Sequence, residues 1–218
     1  MFIHYHMTPE PISMQPEQTV AEAIDLLQLH SFRHVPVVDE DGVLKGMISD
    51  RDLRSARPSS VARSKERHFV EERVNNTPLS SIMTPDCITL SPMATLDDAL
   101  LLFQTRKIGA LPVLDDEGRL IGMFTKGDLL KAYRSLFGLG DKGSVLISIE
   151  DDGDPRSLSR LVNLMVERNV HFSRLVRKEA TRRTKPMIYL RISTYNIRSL
   201  QKAIEAAGFT IHVPYVAA

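Results

Sequence analysis

Apolar residues along this chain of 218 residues recur in two rhythms. Val20, Ala23, Ile24 and Leu27 stand at i, i+3, i+4 and i+7, and Leu96, Ala99, Leu100 and Phe103 repeat the spacing. Each set predicts a helix with one face turned to a core. Each helix opens on a threonine with a carboxylate three residues on, Thr19 with Glu22 and Thr95 with Asp98, the capping-box pattern. The second rhythm is a pair of short apolar runs around an acidic, glycine-ending turn. His34–Val38 and Val43–Ser49 flank Asp39-Glu40-Asp41-Gly42, and Leu111–Leu114 and Leu120–Phe124 flank Asp115-Asp116-Glu117-Gly118. Both predict β-hairpins, each followed by a helix start at Ser49-x-x-Asp52 or Thr125-x-x-Asp128. Ahead of the first helix, Pro9, Pro11 and Pro16 bracket a short extended piece around Ile12-Ser13-Met14.

The two series are one pattern used twice. An offset of 76 residues links Thr19 to Thr95, Pro36 to Pro112, Gly46 to Gly122 and Asp52 to Asp128. Without a gap, 18 of 47 positions are identical between Met7–Leu53 and Met83–Leu129, where about three would be expected from average residue frequencies. Two copies predict a pseudo-symmetric pair rather than a solenoid. The chain then divides into a first repeat (1–56), a polar linker with a short helix over Ser64–Val74 (57–81), a second repeat (82–137), a hinge (138–143) and a second domain (144–218). In the last, Val145–Ile149, Phe172–Val176, Met187–Ile192 and Phe209–Val213 predict strands. Helices are predicted from Asp154-Pro155 to about Arg168 and over Asn196–Ala207, stopped by Gly208. The order β-α-β-β-α-β is the split βαβ of ferredoxin-like domains, so the fold class is α+β.

Composition narrows the function. With 28 basic and 27 acidic residues the net charge is +1, so no bulk field draws the chain to nucleic acid or an anionic membrane. The single cysteine, Cys87, excludes an intramolecular disulfide and a Cys-rich zinc site and fits a reducing compartment. The first residues carry no signal-peptide core and no run approaches the 18 apolar residues of a membrane span, so a cytoplasmic location is expected.

No catalytic constellation is evident, so no enzyme is expected. His4 and His6 form a His-x-His pair, weighed as a metal site against a frayed terminus and assigned to the latter. Gly138-x-Gly140-x-x-Gly143 spells the dinucleotide fingerprint with its elements reversed, a helix before and a strand after, and is set aside. His34 reads as a surface histidine, and Arg182-Arg183 as a solvated hairpin tip. The better candidates are the helix starts behind the hairpins. A helix N-terminus offers free amides and a positive dipole end to a phosphate. Ser49 or Thr125 adds a hydroxyl, Asp52 or Asp128 adds a carboxylate for a ribose diol, and Arg51, Arg54, Lys126 and Lys131 add charge. The same spacing also serves a plain capping box that only stabilises its helix.

Taken jointly, MTPEPIS, HVPVVDEDGVLKGMISDRDL, IMTPDCITL and ALPVLDDEGRLIGMFTKGDLL resemble a tandem pair of CBS domains, the Bateman module, over about Met7–Tyr133. The resemblance implies two repeats packed by their sheets, with two clefts for adenosyl ligands: AMP, ADP or ATP, with S-adenosylmethionine or NAD less favoured. It places Ser49 and Thr125 at phosphate, with Arg51 and Lys126 nearby, and Asp52 and Asp128 at ribose. Ile12, Ser13, Val35, Pro36, Ile88, Thr89, Leu111 and Pro112 would enclose adenine. The C-terminal part resembles an ACT domain, and Asp152–Leu158 is similar to that family's Asp-x-Pro-Gly-x-Leu turn, with Arg156 in the place of glycine. A CBS pair followed by an ACT-like domain is similar to the arrangement of acetoin-utilisation proteins. The resemblance implies a homodimer and a non-catalytic sensor that acts on a partner, such as a regulated enzyme, or on its own oligomer. Its alternatives are an amino-acid-responsive regulator working through the ACT-like domain and a structural interaction module without ligand.

Overall fold

The structure is a computed structural model that describes residues 1–56, 72–182, 184–193 and 196–212. It forms two compact units, Met1–Ala132 and Tyr133–Ala218.

In the first unit each repeat is a helix, a hairpin and a second helix. Helix α1 (Val20–His30) precedes strands β2 (His34–Val38) and β3 (Leu44–Ser49) and helix α2 (Asp50–Ala56); α3 (Leu96–Thr105) precedes β4 (Ala110–Leu114), β5 (Leu120–Thr125) and α4 (Lys126–Phe137). Thr19 and Thr95 close full capping boxes with Glu22 and Asp98, which is why both helices start where the pattern placed them. Each hairpin turns on an aspartate. Asp39 accepts the amides of Asp41 and Val43, Asp115 accepts those of Glu117 and Arg119, and Gly42 and Gly118 supply the left-handed residue at φ 78° and 79°. Val20, Ala23, Ile24, Leu27, Val35, Val37, Ile48 and Leu53 then bury together under the first hairpin.

What fuses the repeats is an exchange of segments. Strand β1 (Thr8–Pro9) pairs with β5 of the second repeat at Met123 and Gly122, and Thr84 pairs with Met47 of the first through two bonds of 2.9 and 3.0 Å. Each Met-Thr-Pro segment thus completes the other repeat's sheet. The exchange extends to the chain's first residues. Two 3₁₀ turns, Ile3–Tyr5 and Leu79–Ser81, each bury one apolar residue completely, Ile3 and Leu79. Ile3 donates to Ala94 O and Leu79 to Gln18 O, each 2.8 Å. Residues 1–6 are therefore not a frayed end, and His4 Nδ1 lies 3.2 Å from Pro92 O. The hairpin tips meet as well, with Leu44 N–H on Gly118 O (3.2 Å) and Leu120 N–H on Gly42 O (3.0 Å). These bonds come in pairs related by the same 76-residue offset, a pseudo-two-fold written into the backbone.

Of the helix expected over Ser64–Val74, residues 72–75 are helical and 57–71 lie outside the described residues. In the second unit β6 (Ser144–Glu150), α5 (Ser157–Glu167), β7 (His171–Lys178), β8 (Met187–Ser193) and α6 (Ile197–Ala206) form an antiparallel sheet of order β6-β8-β7. Ile211 bridges to Ile149 on the outer edge of β6, and bonds from Glu150 N–H to Thr210 O and from His212 N–H to Ser148 O extend the pairing. Of the strand expected over Phe209–Val213 this pairing is what the structure shows, since Val213, like Arg183 of the basic turn, lies outside the described residues. The order places β8 between β6 and β7, as a split βαβ requires. Helix α5 begins at Ser157 and not at Asp154, because the Asp154 carboxylate takes the amide and guanidinium of Arg156 and holds a turn there. Ile147, Ile149, Leu161, Met165, Ile188, Leu190, Ile192 and Ile204 form the core between the sheet and its two helices.

Candidate functional site

The hairpins decide which residues face the seam between the repeats. Directly paired residues share a face, and the register pairs His34 with Ser49, Pro36 with Met47, Ala110 with Thr125 and Pro112 with Met123. Met47, Ala110 and Met123 pack together with Cys87 against them, which marks this face as the inter-repeat seam. The alternate residues Val35 and Leu111 are fully buried, Val35 in the core under α1. Their side chains point away from the seam, so only their backbone is open to a ligand. Met14 and Leu90 add to the hairpin edges, bonding Pro36 O (3.0 Å) and Pro112 O (2.9 Å). That brings Ile12-Ser13 and Ile88-Thr89 to the two prolines. By strand alternation Ser13 and Thr89 turn to the face opposite Met14 and Leu90. Ile12 and Ser13 are exposed, and Ile88 and Thr89 half-buried.

At the strand ends stand the two caps. Thr125 donates its amide (3.1 Å) and hydroxyl (2.7 Å) to the same oxygen of Asp128, Oδ2, and its Oγ1 accepts the Asp128 amide (3.2 Å). Ser49 and Asp52 repeat this at 2.8, 2.6 and 3.3 Å. So both are capping boxes. Among the described residues of the unit four such boxes occur, and burial separates them: the Thr19–Glu22 and Thr95–Asp98 pairs are exposed, whereas the pairs behind the hairpins are partly buried, Asp128 to 9% exposure. Capping also occupies one carboxylate oxygen only. Asp128 Oδ1 meets Lys131 Nζ at 3.4 Å, and that lysine side chain is 82% exposed and free to swing aside. The amide of Lys126 bonds Gly109 O and that of Asp128 bonds Thr125, so the Gly127 amide between them is used by neither bond.

The charged side chains are placed less uniformly. Lys126 Nζ lies 5.9 Å over the Phe103 ring, and Arg54 pairs with Asp50, while Arg51 is exposed. His34 departs from expectation. It is half-buried, with its Cε1 3.0 Å from where a side chain on Gly109 would begin. Burial pushes its imidazole below the usual range, and the nearby Asp52 carboxylate pulls the other way. Its contact lies in the other repeat, which no local pattern reveals. A concavity of about 380 Å³ lies elsewhere, between the end of α1 and α2, lined by Ile24, Leu27, Phe32, Asp50, Leu53 and Arg54. Of the residues named for the expected clefts it shares Arg54 alone, and the hydroxyl and carboxylate of the cap, Ser49 and Asp52, do not line it.

In the second unit, the loop after β6 spends its polar groups on itself. Asp152 accepts the Ser157 hydroxyl and Arg160 (2.7 Å). Asp151, its side chain 2% exposed, is held by Arg177, whose guanidinium keeps the carboxyl below its usual range.

Comparison with known proteins identifies the repeats. The family model described as "CBS domain" matches residues 3–59 and 79–135. A CBS domain-containing protein of Dictyostelium discoideum is 38% identical over 125 residues, 57% of this chain and 85% of that protein. Two crystal structures superpose on the same part. A Vibrio cholerae protein assigned to acetoin utilization, AcuB, is 29% identical with TM-score 0.54, over 64% of this chain and 94% of that one. CBSX2 in complex with AMP is 27% identical with TM-score 0.53, over 62% and 98%. Two matched copies, one segment exchange and one shared seam make this chain a member of the CBS-domain family, carrying a tandem CBS pair.

Proposed function

We propose that the CBS pair is a non-catalytic regulatory module that binds an adenosyl ligand of the AMP, ADP or ATP class between its repeats. The observation that carries this is the partly buried cap of α4. Asp128 presents its second oxygen, held only by the exposed side chain of Lys131, beside the helix N-terminus on the inter-repeat face, so ribose and phosphate would have adjacent partners. Ser13, Thr89, Pro36 and Pro112 would bound the adenine, with Ile12 and Ile88 beside them and the backbone of Val35 and Leu111 behind. The AMP held by CBSX2 supports the ligand class. The second cleft is favoured, because the first carries Asp50 where the second carries Lys126. We read the second unit as an ACT-like domain that dimerises; an amino-acid ligand is less favoured there, since its loop carboxylates are already engaged.

Thermal melting with AMP, ATP, NAD and S-adenosylmethionine tests the proposal. A ligand at 100 times its dissociation constant should stabilise by about 2.7 kcal/mol. Asp128→Ala should lower the ligand-free stability by about 0.5–2 kcal/mol, as any lost cap does, and also abolish the shift. Asp98→Ala removes a cap away from the hairpin exits and should leave the shift whole. A shift undiminished in Asp128→Ala contradicts the ribose role. A flat response to all four ligands leaves a scaffold without ligand, the role that a pure capping box would serve.

A further inference from the structure

We infer that Arg174 is a positioning residue for the second cleft, holding the far end of the helix whose first turn forms it; this rests on that cleft being a ligand site. Helix α4 runs unbroken from Lys126 to Phe137, about 18 Å at the helical rise. Its first turn carries Thr125 and Asp128. Its last turn ends in carbonyl groups that no residue of the helix can satisfy, and Arg174 of β7 reaches two of them. Its Nη2 bonds Ser135 O and its Nε bonds Leu136 O, both 2.8 Å, while Nη1 pairs with Asp141 at 3.3 Å. The guanidinium thus places a positive charge on the negative end of the helix dipole, the end opposite the proposed phosphate.

The seat is built for this side chain. Gly138 is left-handed at φ 61° and buried, and its amide bonds Ser135 O at 3.2 Å. A side chain there would begin 2.7 Å from Arg174 Nη1 and 2.7 Å from Asp141. Arg134 closes the other side, its Nε on Leu139 O at 3.0 Å. Gly138 was singled out in the sequence for a nucleotide fingerprint it does not form. Its use is to stop α4 and leave room for Arg174. The turns of a helix are hydrogen-bonded in series, so holding its last turn limits how far fraying spreads toward its first. Ligand binding at the first turn and clamping at the last are then linked reciprocally.

The test uses the full chain, with Arg174→Gln, Arg174→Lys and Gly138→Ala, and has two arms. Without ligand, hydrogen exchange of the amides of Leu129–Ala132 should quicken about two- to fivefold in Arg174→Gln and Gly138→Ala, the size that a helix-end charge carries. Arg174→Lys should restore part of the protection, and the first turn of α2 should not change in any variant. With AMP as the probe, calorimetric affinity should fall by a similar factor in Arg174→Gln and recover in Arg174→Lys. Exchange at Leu129–Ala132 equal to wild type, or AMP affinity unchanged in Arg174→Gln, overturns the inference. If AMP fails to bind the wild type, the cleft reading fails, while the exchange arm still decides whether the clamp reaches the first turn.

Discussion

Gly46 and Gly122 occupy equivalent positions for the same reason, yet they should respond differently to a methyl group. At Gly46 an added Cβ would lie 2.6 Å from the backbone oxygen of Thr84, and at Gly122 2.4 Å from Met7 Sδ. A backbone carbonyl locked into a sheet cannot retreat, whereas a methionine can change rotamer. Gly46→Ala should therefore cost about 1–3 kcal/mol, and Met83→Ala should not rescue it. Gly122→Ala should cost less and be relieved by Met7→Ala. Denaturant unfolding of the four variants checks this, and equal costs at the two sites would contradict the exchange of segments. The glycines stood out in the sequence only as repeated letters, because what they touch lies about 40 or 115 positions away. Ser49, Asp52, Thr125 and Asp128 were legible, since a capping box is complete within four residues. That the side chains of Val35 and Leu111 turn into the core, leaving only their backbone to a ligand, was not legible for the complementary reason. Strand residues alternate in face, and only the register tells which face holds the core.

At the scale of elements the two rhythms were enough to place the helices and hairpins. Local signals set their limits: threonine caps at one end, left-handed glycines at the turns. The caps also predict an acid response. Backbone and side-chain hydrogen bonds from Thr19 hold Glu22 below the ordinary carboxylate range, and those from Thr95 do the same for Asp98. A carboxyl with a lowered native value stabilises the fold fully above its unfolded value and loses that contribution as pH falls through the native one. The stabilisation should therefore be whole at pH 6, above the ordinary carboxylate range, and vanish only as pH falls below that range through the lowered native values. Stability of Glu22→Gln and Asp98→Asn, followed from pH 6 to 2, should fall less steeply than that of the wild type. Parallel curves would mean that the caps are not formed in solution. The start of α5 was not legible to the same accuracy, because the aspartate of Asp154-Pro155 turns back on Arg156 instead of opening the helix.

For the whole molecule, the 76-residue offset announced a symmetric pair but not how the halves join. The missing part was the exchange of Met-Thr-Pro segments and of the turns at Ile3 and Leu79. Its signal was present: Ile3 and Leu79 stand at the same offset, four positions before the stretch where identity is high. Burial of these two side chains contributes about 1.5–3 kcal/mol each and ties the first residues of the chain to the second repeat. No helix among the described residues is long and apolar enough to cross a membrane. The seam that the exchange creates is what gives the caps of α2 and α4 a common face. A crystal structure grown with AMP tests whether that face is a binding site. The account predicts the ribose hydroxyls on Oδ1 of Asp128, the phosphate at the Thr125–Gly127 turn and Lys131 displaced from that oxygen. AMP bound away from both caps, or a seam filled by Met47, Met123 and their neighbours with saturating AMP in the crystal, would contradict it.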